Sequence, residues 1–228
     1  MADLRLAVFD CDGTLVDSQH SIVQAMFAAL DAHGMEMPQA QHITRMVGLP
    51  LEVAISRLVP DADMALCAEL SETYKSSFFK MRQNGTVDEP LFPGVLDVID
   101  RLKSDGWLLG IATGKAKRGL VATLDKHNIL DQFITCQTAD SAHGKPHPDM
   151  MLRAMAETGV DAQNAIMIGD TTYDVEMALS AKTSAIGVGW GYHEKDELLE
   201  AGAIGVVDNT DDLVAMLFDV SNGAVISK

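Results

Sequence analysis

The sequence predicts an α/β fold: a parallel sheet with helices on both faces, interrupted after its first strand by an all-helical segment. Three observations carry that expectation. Short apolar runs alternate with helix-period segments from Trp107 onward, the pattern of parallel strands joined by crossover helices. An apolar run, Leu6-Ala7-Val8-Phe9, stands near the N-terminus and reads as a strand covered on both faces. Between Ser18 and about Asp88 there is no strand-like run, and apolar residues recur at helical spacing.

Within that segment, Ile22, Met26, Leu30 and His33 form a helical stripe that stops at Gly34. Shorter helical pieces over 39–46 and 51–58 flank the turn Val47-Gly48-Leu49-Pro50. A longer stripe then runs through Met64, Cys67, Leu70, Tyr74, Phe78 and Met81, spacing typical of helix core. After Pro90, Pro93 opens a helix through Leu96, Ile99 and Leu102 that stops at Gly106, and residues 107–112 are the next strand. Residues 115–127 are read as helix and 133–136 as strand, and Pro148 as the first residue of a helix through Met151 and Met155. Residues 165–168 form a strand ending at Asp170, followed by a helix through Val175 and Leu179, a strand over 184–188, and a last pair through Val206 and Leu213. The terminal residues 221–228 are expected to fray.

Composition narrows the partners. Lys and Arg number 17 against 33 Asp and Glu, a formal charge of -16, which repels a polyanion, so nucleic acid is not an expected partner. The first strand begins almost at once, with no basic leader or long apolar run, so no membrane partner and a cytoplasmic location are expected. Cys11, Cys67 and Cys136 are widely spaced, fit no metal-ligand pattern and are read as reduced thiols.

The first strand leads into Asp10-Cys11-Asp12-Gly13, placing two acids where ligands of open parallel sheets bind, beyond the strands' carboxyl ends. Spacing removes three readings of the motifs. A calcium loop needs its Gly sixth and a Glu twelfth, whereas Gly13 is fourth and Ser21 twelfth. A cysteine phosphatase would need an Arg six residues after Cys11, where Asp17 stands. The run Gly110-Ile111-Ala112-Thr113-Gly114-Lys115-Ala116 is one residue short of a phosphate loop and has Ala116 in place of its Ser or Thr.

Residues 10–18, Asp-Cys-Asp-Gly-Thr-Leu-Val-Asp-Ser, resemble the first motif of the haloacid dehalogenase superfamily, in its phosphatase branch. Thr113 ends an apolar run as the second motif does, Lys145 in Gly-Lys-Pro-His-Pro-Asp matches the third, and Gly169-Asp170-Thr-Thr-Tyr-Asp174 the fourth. The resemblance covers essentially the whole chain. It implies a Rossmann-like catalytic core over 1–17 and 89–228, with a helical cap over 18–88. Asp10 is implied as nucleophile and Asp12 as general acid and base. Thr113, Gly114 and Lys145 are implied at the phosphoryl group, and Asp10, Asp170 and Asp174 with the Asp12 carbonyl as ligands of Mg2+.

In the cap, Arg45 and the Gly48 turn are candidates for a second anionic group of the substrate. The expected activity is a magnesium-dependent phosphatase acting on a small phosphorylated metabolite, such as phosphoglycolate, as monomer or homodimer. The family's dehalogenases lack an acid at the position of Asp12. Its sugar-phosphate mutases, the nearer alternative, carry a hinge His where this chain has Ile22, although His20 lies close by. An alternative from another class is a receiver-like domain phosphorylated on Asp, against which Asp12 speaks. Two departures from the family stand out: Gly114 where Asn is usual, and Lys182 where Gly is usual.

Overall fold

The computed structural model describes residues 4–221; the fraying expected for the terminal segment lies almost wholly outside them. Six parallel strands, β1 (Arg5–Phe9), β2 (Trp107–Thr113), β3 (Thr135–Thr138), β4 (Ala165–Gly169), β5 (Ser184–Val188) and β6 (Gly205–Val207), form one sheet in the order β3-β2-β1-β4-β5-β6. Alternation along β1 divides the core: Ala7 and Phe9 join one apolar layer, Leu6 and Val8 the other. The first layer is covered by α5 (Val95–Ser104), α6 (Lys117–Lys126) and α10 (Thr210–Ser221). The second is covered by α7 (Asp149–Thr158), α8 (Thr172–Ser180) and α9 (Lys195–Glu200).

Chain order reverses at β1, which pairs with β2 on one side and β4 on the other. Phe9 is level with Ile111 and Ile168, so the residues following all three strands emerge side by side at one crevice.

The inserted helices α1 (Gln19–Ala32), α2 (Ala40–Thr44), α3 (Leu51–Leu58) and α4 (Met64–Gln83) bury their own cluster, centred on Met26, Leu30, Ile43, Ile55 and Leu70. Met64 is not part of that stripe: it is the first residue of α4 and is 90% exposed. The two connections to the sheet run alongside each other, Val16 bridging Leu91 antiparallel, with Asp17 N–H donating to the Pro90 carbonyl at 2.8 Å. Among the described residues no helix is long and apolar enough to cross a membrane. The three cysteines are free thiols.

Several boundaries differ from the sequence reading. Helix α5 starts at Val95, with Gly94 rather than Pro93 at its entry. Helix α6 starts at Lys117, whose N–H is taken by the Asp140 carboxylate at 3.0 Å, leaving Lys115 in a loop. Strand β3 begins two residues late because Phe133 is a core anchor against Phe9, 6.4 Å between rings, while the ladder itself runs through Thr135 and Gln137. Helix α9 buries only Leu198 and so has no periodic stripe to read.

Lys182, where the family usually has Gly, has a φ of 62°. A side chain in that left-handed conformation is disfavoured, whereas Gly adopts it freely. Lys182→Gly is therefore expected to raise stability by about 0.5–1 kcal/mol in urea unfolding; an unchanged or lower value would mean that the lysine side chain compensates.

Candidate active site

The Asp10 N–H continues the β1–β4 ladder by donating to the Ile168 carbonyl at 2.9 Å. Its carboxylate then turns into the crevice, where Oδ1 accepts the Cys11 N–H at 2.7 Å and faces Lys145 Nζ at 2.9 Å. The chain reverses at once through hydrogen bonds from Leu15 N–H and Val16 N–H to the Cys11 carbonyl. Gly13 makes this possible: its φ is +85°, and a Cβ there would collide with the Asp170 carboxylate.

Asp170 follows β4 and is fully buried. Its Oδ1 accepts from Thr14 Oγ at 2.7 Å and its Oδ2 from the Tyr192 N–H at 3.0 Å. Asp174 lies in the first turn of α8, where its Oδ2 accepts the N–H and hydroxyl of Thr171 in a capping box, at 3.1 and 2.7 Å. Its other oxygen faces Lys145 Nζ at 2.5 Å. Lys145 thus stands between Asp10 and Asp174 with its side chain wholly buried.

The electrostatics follow from this count of charges. Asp10, Asp170 and Asp174 each offer an oxygen within 4.8 Å of the others, and the one ammonium among them pairs with Asp10 and Asp174 only. Burial, then the neighbouring Asp174, pushes Asp10 up to about 7 against the pull of Lys145. Burial, Asp10 and Asp174 together raise Asp170 well above the carboxylate range. Burial opposes the charge of Lys145, but Asp10 and Asp174 outweigh it and raise its pKa. Buried, mutually repelling carboxylate oxygens of this kind fit a hard divalent cation such as magnesium.

Asp12 sits within the turn, just before Gly13. Its Oδ1 accepts from Ser18 Oγ at 2.6 Å and faces Lys115 Nζ at 3.0 Å. Thr113 closes β2 and is buried; its Oγ accepts the Lys115 N–H at 3.2 Å, which leaves the hydroxyl proton free to be donated.

The inserted helices are seated against these loops. A Cβ on Gly114 would meet the Gly48 carbonyl at 3.0 Å, and one on Gly144 would collide with Pro50. Gly48, with φ +98°, leaves only 3.2 Å between its missing Cβ and Thr171 Oγ. Arg45, expected at a substrate anion, is instead paired through both terminal guanidinium nitrogens with Glu197 on α9, at 3.0 and 2.5 Å. The Arg45 backbone carbonyl accepts from the Tyr173 hydroxyl at 3.3 Å and lies 3.1 Å from His193 Nε2. His193 Nδ1 accepts the Thr172 N–H at 3.2 Å, which makes Nε2 the ring donor. Burial lowers the pKa of His193.

The structure therefore brings Asp10, Asp12, Thr113, Lys145, Asp170 and Asp174 to one crevice, with Gly114 and the Gly48 turn at its rim. His20 is exposed on α1, and Ile22, at the position of the mutase hinge histidine, is packed in the inserted cluster. Sequence reasoning missed Lys115, Glu89, Ser18, His193 and Glu197. Two carried a signal: Ser18 closes the first motif, and Lys115 stands two residues past Thr113.

Comparison with known proteins agrees in extent. A family model described as haloacid dehalogenase-like hydrolase matches residues 7–188. The chain is similar to probable phosphatase IndB of Dickeya dadantii, 37% identical over 92% of this chain and 91% of that one. It is 29% identical to the phosphoglycolate phosphatase of Agrobacterium fabrum, over 96% and 95% of the two chains. The crystal structure of a predicted phosphatase from Clostridium acetobutylicum superimposes with a TM-score of 0.86 at 25% identity, covering 96% of this chain and all of that one. By the span of the family match, the likeness to IndB and the fold, the chain belongs to the haloacid dehalogenase-like hydrolases.

Proposed function

We propose that this chain, a phosphatase of its family, hydrolyses a small phosphorylated metabolite through an aspartyl-phosphate on Asp10, with residues 18–88 as the cap over the site. The observation that carries the reading is the pairing of a buried Asp10 against Lys145 with a second acid, Asp12, on the adjoining turn. Asp10 attacks phosphorus and displaces the leaving oxygen, which takes a proton from Asp12. Asp12 then removes a proton from the water that attacks the aspartyl-phosphate, and phosphate departs with Asp10 regenerated.

Thr113 donates its hydroxyl to a phosphoryl oxygen, and Lys145 places positive charge beside the transferring group. Asp10, Asp170 and Asp174, with the Asp12 carbonyl, would hold magnesium, which when bound supplies the charge that offsets repulsion between nucleophile and substrate. The cap residues pressed on Gly114 and Gly144 exclude water from these steps.

Phosphoglycolate, the substrate in the name of the Agrobacterium relative, is a candidate. Its carboxylate would compete with Glu197 for Arg45, since both terminal guanidinium nitrogens are engaged there.

Phosphate release from a panel of phosphate esters, with and without magnesium, tests the reading. Asp10→Asn is expected to abolish turnover with the fold intact by circular dichroism; substantial residual activity would remove Asp10 as nucleophile. Asp170→Asn should raise the magnesium concentration for half-maximal activity by more than about tenfold. An unchanged magnesium dependence would exclude Asp170 as a ligand. Glu197→Gln should raise kcat/KM for phosphoglycolate several-fold relative to glycerol phosphate, and Arg45→Ala should lower that ratio. A ratio indifferent to both variants would make the Arg45 pair a purely structural tie.

A further inference from the structure

A second set of buried charges lies beside the first, and the chemistry so far gives it no task. Lys115 Nζ bridges Asp12 Oδ1 and Glu89 Oε1, each at 3.0 Å, 5.4 Å from the centre of the Phe78 ring. Glu89 is completely buried. Its Oε2 accepts from Arg82 Nη2 at 2.9 Å and from Thr123 Oγ at 3.0 Å. Burial would raise the Glu89 pKa, but Lys115 and Arg82 prevail and hold it below the carboxylate range.

A buried ammonium and a buried carboxylate each cost several kcal/mol unless paired. Ordinary packing would place apolar groups here. The geometry shows what the pair does to Asp12: Ser18 Oγ and Lys115 Nζ both fall on Oδ1, which fixes the rotation of the carboxyl group and leaves Oδ2 facing away from them. Glu89 in turn prevents Lys115 from swinging out, and it is itself held by Arg82 from the cap helix α4 and Thr123 from α6.

We propose that Lys115 and Glu89 are positioning residues for the general acid, locking Asp12 Oδ1 so that Oδ2 carries the proton to the leaving oxygen. The inference rests on the reading of Asp12 as that acid. In the step concerned, the P–O bond breaks with its electrons going to the leaving oxygen, the Oδ2–H proton moves to that oxygen, and the group departs as an alcohol. Because Arg82 and Phe78 belong to α4, the lock is complete only with that helix seated.

A general acid matters for a poor leaving group and little for a good one, and its contribution is about 10²–10⁴. The experiment therefore compares kcat/KM, which reports the steps up to phosphoenzyme formation, for glycerol phosphate and p-nitrophenyl phosphate in the magnesium-loaded protein. Lys115→Met is expected to lower kcat/KM for glycerol phosphate by about 100-fold and for p-nitrophenyl phosphate by less than about fivefold. The double variant Lys115→Met with Glu89→Gln, which removes the buried charges as a pair, should fold like the parent and show the same selective loss. Parallel losses on both esters, or none on either, would overturn the proposal. Asp12→Asn separates the two levels: selective loss in Asp12→Asn but not in the Lys115 variants defeats the positioning role alone. Absence of selectivity in Asp12→Asn defeats the reading of Asp12 itself.

Discussion

Three buried carboxylates, two of them paired with one buried ammonium, are the constraint to which the rest of the molecule answers. Asp10 and Asp174 both face Lys145, and Asp170 offers an oxygen within 4.8 Å of theirs, where β1 and β4 end and α8 begins; burial there penalises every unmatched charge. Only a rigid frame holds such groups together against their repulsion. The sheet supplies it through the level pairing of Phe9 with Ile168, the Gly13 turn leaves room for Asp170, and the α8 capping box fixes one oxygen of Asp174. In our reading, the same repulsion is what a divalent cation and an incoming phosphoryl group would put to use.

The inserted helices touch this frame at two places with different chemistry. At one, Arg45 and the Gly48 turn meet Glu197, His193, Tyr173 and the Gly114 loop; most of these bonds are polar and the Arg45–Glu197 side chains are about one-third exposed. Exposed pairs of this kind contribute only about 0–1 kcal/mol each, and beside them Leu49 and Ala54 of the inserted segment bury apolar surface against Tyr173. At the other, Arg82 and Phe78 meet Glu89 and Lys115 in a largely buried site. In our reading, the first contact would border the substrate's path and the buried one would keep the acid in place.

Much of this was legible in the sequence. Alternating apolar runs marked the strands of the sheet other than β3, whose Thr-Cys-Gln-Thr shares only residues 135 and 136 with the expected span, and period-3.6 stripes marked the longer helices, because burial imposes those periods. The acids and Lys145 were legible because four motifs recur in order. Short elements without a stripe, such as α9, were not, and Phe133 drew β3 early by being a core anchor rather than a ladder residue. Long-range charge pairing was the largest omission: nothing in the residues near Glu89 announces that it is fully buried, since its partners Arg82, Lys115 and Thr123 come from different elements. Lys115 looked like a helix residue for the same reason, and its true partners are set by tertiary structure alone.

The most direct test of the central claim is to quench the magnesium-loaded protein with acid while it turns over a 32P-labelled phosphate ester, and to map the label by peptide analysis. The account predicts acid-stable, hydroxylamine-labile label confined to the peptide containing Asp10. Label on another residue, or turnover of a fully active protein without any covalent label, would contradict it.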